Sequence, residues 1–252
     1  MPRAARPPDA TDTSLRQQVY ESLREALATG RFAPGQKVTF RYVAGVLDVS
    51  LTPVREALRR LVAEGAFEMN PNRSVRVPLM TRDKVLELRD IRSSLEGLAA
   101  AKAAQVATRD QIANLRRIAR EIMIARNRGD AATDRQKLRE FHFAVYAVAG
   151  QPTLLRLIEG LWLQTGPYMN LLYPDFVSSP RGPAGRQRLI EALQTRDSLA
   201  ARREMENDIR RTLSFVAGLA DENGNIAPAA PAIVSKRRHP SAGVAAFEVP
   251  AV

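Results

Sequence analysis

Residues 46–65 read "VLDVSLTPVREALRRLVAEG". Val54, Ala57, Leu58, Leu61 and Val62 recur at i, i+3, i+4, i+7 and i+8, the spacing of a helix with one apolar face, and Gly65 ends it. Pro53 falls in the first turn, where a missing N–H costs little. On the opposite face, near the N-terminal end, the same spacing sets Thr52, Arg55 and Arg59 together. A helix that only fills a core has no use for that face. One whose first turn enters a DNA groove does, because an arginine fork pairs bidentately with guanine O6/N7 or with a phosphate. Ser50 and Thr52, with the free amides of the first turn, suit a phosphate at the helix N-terminus. The plainer alternative is a solvated arginine face, with Glu56 and Arg60 as an i, i+4 ion pair.

The surroundings favour DNA. Leu15, Val19, Leu23 and Leu27 predict a first helix ending at Gly30, "APGQ" (33–36) a turn, and "FRYVAGVL" (40–47) a short second helix. After the quoted helix, "AFEM" and "SVRV" alternate around "NPNR", which predicts a β-hairpin with Arg73 at its tip. Helix, helix, turn, helix and hairpin make a winged helix-turn-helix, with the third helix as the reader of the major groove.

Past Pro78 the pattern changes to long amphipathic helices, six of them, at about 82–107, 109–128, 131–148, 152–172, 184–196 and 198–220. The fold class is therefore mainly α: an N-terminal winged helix-turn-helix followed by an all-α six-helix bundle. The boundaries expected are a disordered arm at 1–12, the DNA-binding domain at 13–78, the helical domain at 79–222 and a flexible Ala/Pro-rich tail at 223–252.

Composition sets the limits around this reading. With 252 residues and 45% hydrophobic content the chain can bury two cores. It has no cysteine, which excludes disulfides and thiolate metal sites and suits a reducing cytoplasm. No apolar run is long enough to span a bilayer, and no secretory signal is visible. The formal net charge of +11 fits a polyanion partner but is spread along the chain, so the local motif must locate the contact.

In the helical half, four polar side chains fall on apolar stripes. Arg92 lies among Leu88, Ile91 and Leu95; His142 among Leu138, Phe141 and Val145; Arg186 among Leu189, Ile190 and Leu193; Asp208 among Met205, Ile209 and Phe215. Burying four such groups unpaired is costly, so together they predict a polar cavity inside the bundle. Arg186 and Asp208, on consecutive helices, are expected to form a buried ion pair. Arg92 can pair with Glu96 one turn on, or turn its charge to an incoming carboxylate with His142 as a second donor.

The stretch "LDVSLTPVREALRRLVAEG" resembles the pattern L-G-V-S-R-T-P-V-R-E-A-L-R-x-L-x-x-x-G of GntR-type transcriptional regulators. The resemblance implies DNA contacts at Arg41, Ser50, Thr52 and Arg55, with Leu51 in place of an arginine that commonly reads the operator. Asp48 replaces the turn glycine, and Asn72 occupies the position of the wing glycine. More weakly, "LRDIRSSLEGLAA" and "FHFAVYAVAG" resemble the FCD effector domain of the FadR-type branch, and six helices suit its VanR-like subgroup. Many such domains hold a divalent metal through an Asp and a His four residues apart plus two later histidines. Here those positions are Leu138, His142, Arg186 and Asp208. One imidazole with an arginine does not suit Zn²⁺ or Ni²⁺, so no metal or other cofactor is expected.

The expectation is a cytoplasmic, homodimeric repressor that binds double-stranded operator DNA and senses a small organic acid. DNA contacts are assigned to Arg41, Ser50, Leu51, Thr52, Arg55, Arg59, Asn72 and Arg73, and effector contacts to Arg92, His142, Arg186 and Asp208. One alternative is a bundle that only dimerises. An enzyme with a DNA-targeting head is disfavoured: the chain has two histidines, His142 and His239, and no paired-carboxylate motif, phosphate-binding glycine loop or triad precursor.

Overall fold

A computed structural model describes residues 10–71, 74–173, 176–177 and 181–226. The wing residues Asn72 and Arg73, most of the N-terminal arm and the tail beyond 226 lie outside the described residues.

The N-terminal domain runs α1 (Ala10–Ala28), β1 (Lys37–Thr39), α2 (Phe40–Leu47), α3 (Leu51–Ala63), β2 (Glu68–Asn70) and β3 (Ser74–Arg76). The three strands form one antiparallel sheet in the order β1-β3-β2, with Val75 opposite both Val38 and Met69. The β2–β3 hairpin follows the alternation in the sequence. Strand β1 is an addition, since three residues between a turn and a helix leave too short a pattern to read. The α1 and α3 stripes meet over the sheet, burying Leu23, Leu27, Val54, Leu58, Leu61 and Val75, while Phe32 and Phe67 pack edge to face at 5.5 Å. Asp48, at the usual glycine position, caps α2 in the left-handed region with φ of 51°, a conformation Asp tolerates better than most residues.

The C-terminal domain consists of α4 (Arg82–Val106), α5 (Arg109–Asn127), α6 (Ala131–Val148), α7 (Pro152–Thr165), a 3₁₀ segment (Gly166–Leu172), α8 (Arg181–Gln194) and α9 (Ser198–Gly218). The helix starts have local causes. Thr81, Thr108, Asp130 and Asp197 each accept a backbone N–H at an N-cap, and Thr108 forms a reciprocal capping box with Gln111. Each such cap contributes about 1 kcal/mol. Helix α4 packs mainly on α9 and α6, around a core that includes Leu88, Ile118, Phe141, Ile158 and Leu213.

Three boundaries differ from those read in the sequence. Helix α1 begins at Ala10, inside the expected arm. The helix expected over 152–172 ends at Thr165, where Gly166 and Pro167 turn the chain into the 3₁₀ segment. The expected tail starts late: Ile226 is 1% exposed and its N–H donates to the Met80 carbonyl at 3.1 Å, so residues 223–226 belong to the helical domain. One buried isoleucine within an Ala/Pro-rich run carries no periodicity to announce it.

The two domains meet where the 3₁₀ segment crosses the end of α1. A Cβ at Gly166 would lie 2.3 Å from the Leu27 carbonyl oxygen, an approach only glycine permits. Asn170 Nδ2 donates to the Gly30 carbonyl at 2.6 Å, Arg24 pairs with Glu159 at 3.1 Å, and Leu163 is packed into the N-terminal core. The Tyr168 hydroxyl ties down the linker, accepting from the Met80 N–H at 2.6 Å and donating to the Pro78 carbonyl at 2.9 Å.

Candidate functional site

Two surfaces carry unsatisfied chemistry. On α3, burial of Pro53, Val54, Ala57, Leu58 and Leu61 turns the other side to solvent. Ser50, Leu51, Thr52, Arg55 and Arg59 are all exposed there, and Arg41 is exposed on α2. Ser50 is the N-cap residue but makes no side-chain cap bond, which leaves its hydroxyl available. Leu51 is 40% exposed, an apolar group standing in the open at the first turn. Among the described residues Arg41, Arg55 and Arg59 have neither an ion pair nor a side-chain hydrogen bond.

The remaining charges of α3 are occupied otherwise. Arg60 lies over the Tyr20 ring at 3.7 Å and reaches Glu64 at 3.2 Å, while Glu56 pairs with Arg16 of α1 at 2.8 Å. The Glu56–Arg60 pair expected from spacing is therefore not formed. Both side chains turn towards α1, which offers a ring and a guanidinium the linear pattern does not reveal.

The second surface is a cavity of about 80 Å³ within the bundle, room for roughly half a dozen water-sized groups. Arg92 from α4, His142 from α6, Arg186 from α8 and Asp208 from α9 all line it. Trp162, Met169, Leu172 and Phe176 supply apolar wall, and Ala28 of α1 forms part of the boundary, so the cavity reaches the domain junction.

Arg92 is held by a buried network. Its Nε donates to Glu96 Oε1 at 2.6 Å and its Nη1 to Thr165 Oγ1 at 2.7 Å, and the guanidinium lies 4.5 Å from the Trp162 ring centre. Glu96, fully buried, also accepts from Trp162 Nε1 at 3.1 Å and from the Tyr146 hydroxyl. Burial, with the Glu96 charge beside it, pushes the Tyr146 pKa well up.

His142 places Nδ1 2.8 Å from the Leu138 carbonyl and Nε2 3.1 Å from Asp208 Oδ2. Both ring nitrogens thus face oxygen acceptors. Asp208 Oδ1 accepts from Arg211 at 2.6 Å. Burial opposes ionisation of Asp208, but the His142 hydrogen bond and the charges of His142, Arg211 and Arg186 outweigh it and bring its pKa down to about 2.

Arg186 differs from its neighbours. It is 6% exposed, its Nη2 has no hydrogen-bond partner, and it forms no ion pair among the described residues. Desolvation, offset only in part by Asp208, lowers its pKa to about 10. The direct Arg186–Asp208 pair expected from the sequence is replaced by His142–Asp208–Arg211, because Arg211 one turn along α9 already occupies the second carboxylate oxygen.

Sequence reading missed a further pair. Asp134 is fully buried, accepts from Arg126 Nε and Nη2 at 3.1–3.2 Å and accepts from the Tyr173 hydroxyl. Its signal was present, one turn before Leu138 on the inward stripe of α6.

These residues do not fit a divalent metal. Around His142 the donor set is one imidazole and one carboxylate, with the Arg186 and Arg211 guanidiniums beside the carboxylate, and the imidazole nitrogens are both engaged. Among the described residues no three His, Asp or Glu side chains gather as a metal-ligand group.

Comparison with known proteins gives the same division of the chain. Residues 15–77 match the family described as bacterial regulatory proteins, gntR family, and residues 87–211 match the FCD domain. The chain is 34% identical over 160 residues to the HTH-type transcriptional regulator McbR of Escherichia coli K12, covering 64% of this chain and 72% of that one. It is 26% identical over 224 residues to a probable D-xylose utilization operon transcriptional repressor of Paenarthrobacter nicotinovorans, covering 86% and 93%. Among solved structures, E. coli McbR/YncC superposes with a TM-score of 0.75 at 28% identity, over 80% of this chain and 96% of that one.

Proposed function

The chain belongs to the GntR family of bacterial regulatory proteins with an FCD domain, and from that premise we propose a homodimeric repressor whose operator affinity is set by a small organic acid. That it is a DNA-binding transcriptional regulator follows from the family; the dimer, the sign of regulation and the effector are the proposal. Exposed Arg55 and Arg59, without a partner among the described residues and beside a helix start with no side-chain cap, support docking of α3 in the major groove. Ile91 and Leu98 stand exposed on the outer face of α4 and suit contact with a second copy, which would set two α3 helices on one pseudo-palindromic site. Among the described residues no helix is long and apolar enough to cross a membrane, in keeping with a cytoplasmic regulator. The relative named for D-xylose utilization is called a repressor, and repression is carried to this chain on that likeness.

The observation that carries the effector reading is Arg186. A guanidinium held out of water without an anion is costly, and an acidic ligand in the cavity would satisfy it. Because the cavity wall includes Ala28, whose helix packs on α3, a ligand there is placed to alter the setting of the DNA-binding domain. The test is fluorescence anisotropy on a fragment of the upstream region, with and without a panel of organic acids. At least one acid is expected to weaken operator binding. Identical isotherms with every acid, none of which shifts the melting temperature, would refute an effector role.

A further inference from the structure

Among the described residues, the charges around the cavity do not balance. Arg92 is offset by Glu96, Arg126 by Asp134 and Arg211 by Asp208. Two lining cations have no ion pair among the described residues. Arg186 is one. The other is Arg135 of α6, which lies 5.4 Å from the Tyr173 ring centre, has a buried Nε without a partner, and forms no ion pair among the described residues. Its nearby carboxylates are engaged elsewhere: Asp130 accepts from the Thr133 N–H and hydroxyl, and Asp134 holds Arg126 and Tyr173. Burial lowers the pKa of both leftover arginines, so each gains from an anion brought close.

The two cations arise from different helices, α6 and α8. The Asp134 carboxylate, already bound by Arg126, acts electrostatically on both. A single anionic group at one guanidinium leaves the other uncompensated. We infer that the effector is a compact dicarboxylate, with one carboxylate against Arg186 and the other reaching Arg135. This rests on the organic-acid reading above and narrows it. The space suits a short diacid, and Met169, Leu172 and Phe176 supply apolar wall for its aliphatic middle.

The test is isothermal titration of the full chain with malonate, succinate and glutarate, each against the monocarboxylate of the same carbon number (propionate, butyrate and valerate), with inorganic phosphate as a compact multivalent anion. At least one diacid is expected to bind about tenfold or more tighter than its monoacid, the size of one added charge-assisted contact. Arg135→Gln is expected to erase that gap, and Arg186→Gln to lose both acids, with cooperative melting as the check that each variant is folded. Equal affinity for diacid and monoacid, a gap that survives Arg135→Gln, or phosphate competing as well as the best diacid would each overturn the inference while leaving an acid effector in place. If no acid of either kind binds, the organic-acid reading itself fails and takes the inference with it.

Discussion

The arginines of α3 and those of the bundle share one chemistry and serve two ends. On α3, Arg55 and Arg59 extend into water and form no ion pair among the described residues. In the bundle, buried Arg92 and half-buried Arg126 are held by Glu96 and Asp134, each through two or more hydrogen bonds. A surface guanidinium without a partner costs little, because water solvates it, and it stays available for phosphate or guanine. A buried one must be matched. Among the described residues Arg186 breaks this rule, being buried like Arg92 and without an ion pair like Arg55. Where a fold keeps a buried cation unmatched, the missing anion is the natural candidate for a ligand.

The largest effect that probes this contrast should come from removing an acid of the bundle. Glu96→Ala leaves Arg92 buried without its carboxylate and strips Tyr146 and Trp162 of an acceptor, so it should cost about 3–5 kcal/mol of stability in urea unfolding. A loss under 1 kcal/mol would mean the network is not matched as described.

On α3 the cost should fall on DNA instead. Arg55→Ala should weaken specific operator binding by about 1–3 kcal/mol in anisotropy titrations, with an unchanged melting temperature. Arg60→Ala should do the reverse, reducing stability by up to about 1 kcal/mol through the lost stacking on Tyr20 and the Glu64 pair, with little effect on operator binding. Equal operator losses for both would contradict the docking of α3.

A smaller, pH-dependent effect should come from Asp208. Its folded pKa of about 2 lies below the ordinary value of 3.8. Its contribution to stability is therefore fully present above about pH 4 and lost as the pH falls through 2. Asp208→Asn should flatten the acid limb of a stability–pH curve between those values. A mutant curve parallel to wild type would show that the carboxylate is not held by His142 and Arg211.

Much of this contrast was legible in the sequence, because helical periodicity reports which face is buried. It placed Arg55 and Arg59 outward, and Arg92, His142, Arg186 and Asp208 inward. Glu96, one turn from Arg92, was visible for the same reason. Periodicity does not report which neighbour from another helix arrives first. Arg211 took the oxygen assigned to Arg186, and Tyr20 drew Arg60 away from Glu56, because rotamer and interhelix geometry decide between partners at similar distance. Strand β1 and buried Ile226 escaped for another reason. Each is stabilised by a partner distant in sequence, and each is too short to carry a pattern of its own.

Arg186 is kept for a ligand, and its burial is only partly offset within the ligand-free fold. The most direct test is the melting temperature of Arg186→Met without added ligand, a change that keeps the apolar stem and removes the buried charge. The variant is expected to melt at or above the wild-type temperature, since an uncompensated desolvated cation has been replaced by an apolar group of similar length. A drop of several degrees would mean that Arg186 is matched within the folded chain, and would contradict the account.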